Sequence, residues 1–274
     1  IWGTSFILIK QGLKVFPPDQ VGALRVAAAS LFLFPSAIAK LGELRSHHYW
    51  KLLLSGLMGI FIPAFLFATA QTRMDSSVAG IINTMTPIFT MIISAFIFKQ
   101  HFKVIAVIGI VLGFTGAAVL SLSRSGGEIS GFNIYALLIV SACLLYGANL
   151  NFIKFKLPEV PALTITSVSL LLVAPLAFIY LFRHTNFTTI ITAQPGAWEA
   201  FGFVVLLGCM STAVATILFN KLVKISTPLF ASSVTYVMPI VAVMWGVLDG
   251  ELLRGGPFIG MAAIVGGVYL ANRK

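Results

Sequence analysis

Ser5, Asn83, Asn149 and Tyr236 place polar side chains inside long apolar runs. A hydrogen-bonding group in such a place must find a neighbouring helix or a solute. Ser5 and Asn149 each follow an aromatic, Trp2 and Tyr146, by three residues, so each pair shares one turn of a helix. Asn83 precedes Pro87 by four residues and Tyr236 precedes Pro239 by three. A proline within a helix leaves a backbone carbonyl without its donor, and a substrate ammonium can take that place. Trp2, Ser5, Asn83, Pro87, Tyr146, Asn149, Tyr236 and Pro239 are therefore the candidate substrate-binding residues. They would line a partly aromatic, partly polar cavity suited to zwitterions with apolar side chains. For each residue taken singly, a hydrogen bond to a neighbouring helix explains the polar atom equally well, and each proline reads equally as a plain kink.

Ionic chemistry is sparse by comparison. The acidic residues Asp19, Glu43, Asp75, Glu128, Glu159, Glu199, Asp249 and Glu251 all fall in or beside connections between apolar runs. No midplane carboxylate offers a proton or sodium relay, which points to a facilitator, or to coupling through other groups, and to a net-neutral or zwitterionic cargo. Lys10 and Lys154 stand about eight residues after the two aromatics and read either as gate or carboxylate-binding groups or as helix-end lysines reaching for the interface. The histidines lie in connections, and no nucleophile and base or metal-ligand spacing occurs within a run, so an enzyme is not indicated and no cofactor is called for. A surface metal site using His47 or His48 is the one weak alternative. Cys143 and Cys209 both fall inside apolar runs and read as inert buried thiols.

The elements that must hold these residues follow from composition. At 58% apolar and 9% charged residues, the chain carries far less charge than the roughly 25% of soluble domains. Ten apolar runs approach the ~20 residues that cross a hydrocarbon layer: 1–15, 21–41, 52–72, 77–98, 104–122, 132–153, 162–182, 200–222, 229–248 and 257–271. The first is short and Ile1 is no initiator residue, so an upstream tail and part of that helix are expected before it; no cleavable leader is evident. A net charge of +10 invites a nucleic-acid partner, but the Lys and Arg residues sit singly or in pairs between runs, never as a basic stripe. Summed over alternate sides of the membrane they divide eleven to seven, which places both termini in the cytoplasm. The long connection Arg183 to Trp198 reads as a surface loop and contains the sequon Asn186-Phe187-Thr188. Trp50, Trp198 and Trp245 read as interfacial belt residues.

The two halves resemble each other. Trp2-Gly3-Thr4-Ser5-Phe6 with Lys10 parallels Tyr146-Gly147-Ala148-Asn149-Leu150 with Lys154. Ser76-Ser77-Val78-Ala79-Gly80 leading to Pro87 parallels Pro228-Leu229-Phe230-Ala231-Ser232 leading to Pro239, and Gly109 and Gly116 parallel Gly260 and Gly267. Five spans per half force the second half to enter the membrane in the opposite sense. The expectation is an all-α integral membrane protein of ten transmembrane helices built as two inverted-topology repeats, residues 1–123 and 131–274. Such repeats can expose a central site alternately to the two faces. Gly109 with Gly113, and Gly256 with Gly260, are spaced for close helix packing, either within the chain or across a homodimer.

The opening Trp2-Gly3-Thr4-Ser5-Phe6, the Pro87 and Pro239 helices, and Gly250-Glu251 followed by Gly260 and Gly267 resemble the EamA-type branch of the drug/metabolite transporter superfamily over nearly the whole chain. The resemblance implies a ten-helix exporter of small metabolites in a bacterial inner (plasma) membrane. Its typical cargo is amino acids or related solutes carried in a central cavity, with amino-acid exporters of the YddG type as the nearest candidates. The Gly-Glu pair occurs once, since the matching place in the first half reads Phe98-Lys99-Gln100, so a symmetric role for Glu251 is not supported. A channel-like pore and a membrane-embedded enzyme are the rival readings.

Overall fold

The computed structural model describes residues 1–73, 76–124, 134–241 and 256–271. Every regular element among them is helical: α1 (Trp2–Gly12), α2 (Pro18–Leu41), α3 (Ser46–Ala70), α4 (Ser76–Asn83), α5 (Thr86–Phe96), α6 (Val104–Arg124), α7 (Ala136–Lys156), α8 (Ala162–Arg183), α9 (Phe187–Ala193), α10 (Ala197–Ile225), α11 (Pro228–Val241) and α12 (Gly256–Ala271). Helices satisfy their own backbone groups, which hydrocarbon cannot do for them. Five of them, α2, α3, α7, α8 and α10, are long and apolar enough to cross a membrane; α5, α11 and stretches of α6 and α12 are shorter apolar helices. Gly250-Glu251, Trp245 and the acidic residues Asp75, Glu128 and Asp249 lie outside the described residues.

Local chemistry fixes the ends. Pro17 and Pro18 start α2, with proline in the first turn where a missing N–H costs nothing. The Thr227 hydroxyl accepts from the Phe230 amide at 3.1 Å and caps α11 ahead of Pro228. α3 begins at Ser46, six residues before the apolar run, because the His48 ring accepts the Arg45 amide at 3.1 Å and caps a polar first turn. The run 77–98 does not form one kinked helix: the chain breaks at Thr84-Met85, and Pro87 sits in the first turn of the new helix α5. The connection after Arg183 is also more ordered than a surface loop. It folds into α9, buries Phe187, Ile190 and Ile191, and engages the sequon residue Asn186 through Gln20 Nε2 at 2.8 Å.

Large apolar side chains face outward, and polar ones are buried among the apolar core. Leu31, Phe32, Phe34 and Ile38 on α2, Phe96 on α5, Val104 and Val111 on α6, Leu137 on α7 and Ile179 and Phe182 on α8 are all exposed, a surface suited to lipid. Buried hydroxyls and amides knit helix to helix instead: Asn151 Nδ2 donates to Thr90 O at 3.0 Å, Ser94 donates to Asn151, Asn220 Nδ2 donates to Thr166 Oγ1 at 2.9 Å, and Ser169 Oγ donates to Leu52 O at 2.7 Å. Exposed Trp50 and Trp198 stand near helix starts.

Close approach recurs in matched places. A Cβ on Gly3 of α1 would meet Val241 Cβ of α11 at 2.7 Å, and one on Gly147 of α7 would meet Thr90 N of α5 at 2.8 Å. Gly56 of α3 faces Ser169 O of α8, and Gly208 of α10 faces Arg25 O of α2. Both long helices α3 and α10 carry a π-helical segment at those glycines, Leu57–Phe61 directly after Gly56 and Leu207–Val214 around Gly208. Along α6 and α12 the backbones touch: Gly109 meets Ala271, Gly113 meets Gly267, and Gly116 meets Gly260 and Ile264. The ascending and descending order of these contacts makes the pair antiparallel. The glycine face of α6 is thus filled within the chain.

Candidate functional site

The helices enclose a cavity of about 100 Å³ between the two halves of the chain. Five of the eight candidate residues border it: Trp2, Ser5, Asn83, Tyr146 and Asn149. On one wall Trp2 Nε1 donates to Ser211 O at 2.9 Å and Ser5 Oγ donates to Ser211 Oγ at 2.7 Å, tying α1 to the π-helical part of α10. On the opposite wall Ser55 Oγ donates to Asn149 Oδ1 at 2.7 Å, and the Asn149 amide lies over Gly59, tying α7 to the π-helical part of α3. A π-bulge opens the helical hydrogen-bond ladder, and it occurs often at functional sites. Here each bulge brings a helix of one half against a long helix of the other.

Aromatic rings close the cavity. Trp2 meets Phe219 edge to face with centroids 4.7 Å apart, and Tyr146 stacks on Phe67 at 6.1 Å. Asn83 Nδ2 donates to Met238 Sδ at 3.3 Å. The Asn83 carbonyl, left free by the ring of Pro87, accepts the Thr86 hydroxyl at 2.8 Å, so the expected vacancy for an ammonium is already filled by the chain.

Three candidates lie elsewhere. Pro87 and Pro239 are buried and do not border the cavity. Tyr236 is fully buried against Gly113, and its hydroxyl donates to Ile110 O of α6 at 3.0 Å. Its polar atom is satisfied by a helix 126 residues away, a partner invisible to sequence spacing. The two lysines are also away from the cavity: Lys10 is exposed, and Lys154 Nζ donates to the Lys224 carbonyl at the end of α10 at 2.9 Å.

Sequence reasoning missed Arg25. The eighth residue of α2, it was counted among the surface charges, yet its guanidinium borders the cavity. Nε and Nη2 both donate to Thr212 Oγ1, at 3.1 and 3.0 Å. Thr212, Ser211, Thr216 and Asn220 of α10 also line the cavity. The signal was available: the rule that polar groups inside apolar runs demand a partner applies to Thr212 and Asn220 as well as to Asn149. Among the described residues no carboxylate borders the cavity. Asp19 accepts the Tyr180 hydroxyl at 3.3 Å, and Glu43 pairs with Lys40.

A second polar cluster joins the halves at the surface. His48 Nε2 and Glu159 Oε1 are 2.8 Å apart, with His47 alongside. Hydrogen bonds from its own backbone amide and from the His48 ring hold the Glu159 carboxyl below the usual carboxylate range. Both ring nitrogens of His48 are engaged, one by Arg45 N and one by Glu159. The cluster links α3 to the α7–α8 connection, and its ligand-type atoms lie within 4.8 Å of one another.

The EamA-like transporter family matches residues 1–122 and again 133–273. The chain belongs to the EamA-like transporter family. Its relatives in that family include an uncharacterized transporter of Archaeoglobus fulgidus, 26% identical over all of this chain and 95% of the relative. The uncharacterized inner membrane transporter YedA of Escherichia coli is 26% identical over 99% of this chain and 87% of its own. A probable amino-acid metabolite efflux pump of Salmonella typhimurium is 30% identical over 48% of this chain and 44% of its own. One solved crystal structure, 20% identical, superposes with a TM-score of 0.74 over 99% of this chain and 92% of that one, a likeness of fold. An EamA-like transporter is an integral membrane protein whose cargo is a small molecule.

Proposed function

We propose that this EamA-like transporter exports amino acids, aromatic or apolar ones included, and related small metabolites by alternating access through the cavity. The observation that carries the reading is the pair of reciprocal seams: Ser5 of α1 bonded to the bulge of α10, and Asn149 of α7 bonded beside the bulge of α3. Ten spans then form two inverted repeats, 1–123 and 131–274, with α4 and α5 together making the fourth span and α9 lying outside the count. The two family matches, the paired glycine contacts at Gly3 and Gly147, and those at Gly56 and Gly208 support that arrangement.

Two like units meeting at two like seams can lose one seam while keeping the other, and that exchange turns the cavity from one face to the other. The cavity has room for roughly seven to ten water-sized groups, the scale of a small amino acid. Trp2, Ser5, Tyr146, Asn83 and Asn149 bind the cargo in this reading. The chain sits in a bacterial inner membrane with both termini in the cytoplasm. Moving Arg25 from the surface into the cavity leaves the charge bias at eleven against six, which favours that orientation further. Uptake of labelled solutes into proteoliposomes, with and without a pH gradient, tests the proposal. Saturable amino-acid flux is expected. Absence of flux for every amino acid overturns the substrate assignment, and flux that never saturates overturns alternating access in favour of a pore.

A further inference from the structure

Arg25 is a cation in a membrane protein's interior for which, among the described residues, no carboxylate is at hand. It stands seven residues past the start of α2, about 10 Å along the helix axis. Its partner Thr212 is the sixteenth residue of the 29-residue helix α10. The guanidinium is therefore held near the middle of a long helix, in the cavity, and not at a helix end where a long side chain reaches water. An ionisable side chain at such depth is costly and marks a pathway or binding site by default. Two of its five N–H groups go to one neutral hydroxyl oxygen, which aims the planar fork without neutralising it.

A solute entering this cavity meets a charge that the fold has left unbalanced. A carboxylate satisfies it with two parallel charge-assisted hydrogen bonds. An uncharged group leaves it unpaired, and a cation is repelled. No comparable group awaits an ammonium: among the described residues the cavity offers one amide and hydroxyl oxygens, the Met238 sulfur and the rings of Trp2, Phe6, Phe67, Tyr146 and Phe219, and no carboxylate. Recognition at the two ends of an amino acid is unequal.

We propose that Arg25, aimed by Thr212, is the carboxylate anchor of the cavity, so that the cargo class is small monocarboxylates with compact apolar tails, the amino group being dispensable. This rests on the reading of the cavity as the cargo site and narrows it from amino acids to a shared chemical handle. It also departs from the expectation of a net-neutral or zwitterionic cargo by admitting a plain carboxylate. The matching position on α8, where Ser169 O faces Gly56 as Arg25 O faces Gly208, carries a hydroxyl already spent on Leu52 O. Among the described residues the cavity therefore has one such anchor, which would hold its cargo in one orientation.

The test measures binding of four probes of one shape to the purified protein in detergent: L-leucine, 4-methylpentanoate, L-leucinamide and 3-methylbutylamine. Quenching of Trp2 within the cavity and thermal shift serve as readouts. Leucine and 4-methylpentanoate are expected to bind within a few-fold of each other, and both amines roughly ten- to a hundredfold more weakly, the span of a charged hydrogen bond. Arg25→Gln should erase the preference, and Arg25→Lys should restore part of it. Because Arg25→Gln can fail to fold, Thr212→Val is measured beside it, with monodispersity on size exclusion as the control. It should weaken both carboxylates about three- to tenfold and leave the amines unmoved. Leucinamide binding as well as leucine, a preference that survives Arg25→Gln, or no carboxylate binding at tens of millimolar overturns the proposal. Proteoliposome flux separates it from the transport reading: carboxylate binding through Arg25 without flux sinks transport alone, and flux of amines without carboxylate preference sinks the anchor alone.

Discussion

Gly266 and Gly267 are neighbours on α12 with opposite surroundings, and they permit a controlled test of the α6–α12 seam. A Cβ at Gly267 would lie 2.6 Å from Gly113 Cα and 2.7 Å from Gly109 O, both backbone atoms of α6. A Cβ at Gly266 would lie 3.7 Å from Leu112 Cδ2, an ordinary contact with the end of a flexible side chain. To bring Gly113 Cα out to the 3.4 Å edge of normal contact, Gly267→Ala must separate the helices by about 0.8 Å, and backbone cannot turn aside as a rotamer can. Overpacking of this kind costs about 1–3 kcal/mol. Ala gains about 1 kcal/mol over Gly in helix propensity, and that gain is common to both variants, so it cancels in their difference. Gly267→Ala should therefore be about 1–3 kcal/mol less stable than Gly266→Ala. At about 2–4 °C per kcal/mol for a chain of this size, the two Tm values should differ by roughly 2–12 °C. Thermal unfolding of both proteins in the same mild detergent, followed by intrinsic fluorescence, makes the measurement. Two variants melting within a degree of each other, or Gly267→Ala melting higher, would refute the backbone contact between α6 and α12.

Other expectations follow from single contacts. Tyr236→Phe removes a buried hydrogen bond to Ile110 O and should cost about 0.5–1.5 kcal/mol of stability with no change in apparent solute affinity; an affinity loss without destabilisation would return Tyr236 to the cavity. Asn149→Ala and Asn83→Ala should each lower saturable flux about two- to tenfold in folded protein, whereas unaltered rate and affinity would make them helix glue. The Glu159 carboxyl is held below its ordinary range when folded, so its contribution is complete above the unfolded carboxylate pKa and is lost as pH falls through the lower, folded value. The melting curves of the wild type and Glu159→Gln should then differ by a few tenths of a kcal/mol near pH 6, an exposed and screened pair, and converge below about pH 4. Curves that stay parallel across that range would remove His48–Glu159 as a stabilising link.

What the sequence made legible was what lipid and repetition impose. A hydrocarbon layer demands long apolar runs, so the segments holding α2, α7, α8 and α10 stand out in composition, and the matched Trp2-Gly3 and Tyr146-Gly147 fall in the first turn of α1 and the middle of α7. Residues facing the cavity were found where polarity interrupts such a run, as at Asn83 and Asn149. The failures share a cause, a partner far away in sequence. Tyr236 looked like a cavity residue because its acceptor on α6 cannot be seen from spacing, and the carbonyl freed by Pro87 looked open because the Thr86 rotamer that fills it is a local choice. Arg25 was hidden by a boundary: starting α2 at Val21 put the charge at the membrane surface, whereas the prolines at 17 and 18 start the helix a turn earlier and carry Arg25 inward.

The placement of Arg25 also says which feature of the fold does the discriminating. The backbone treats the two halves alike: α2 and α8 each press a carbonyl onto a glycine of the opposite half's long helix, at Arg25 with Gly208 and at Ser169 with Gly56. In the proposed alternating-access reading, like contacts at the two seams would make opening at either face comparable in cost. A binding site cannot be symmetric in that sense if it is to hold an unsymmetrical solute. The side chains break the equivalence where the backbone keeps it, with a guanidinium at one position and a hydroxyl already bonded to Leu52 O at its counterpart. Arg25→Ser, which leaves both backbone contacts in place, should therefore lose carboxylate binding, and retained carboxylate affinity in that protein would show that something other than the guanidinium recognises the cargo.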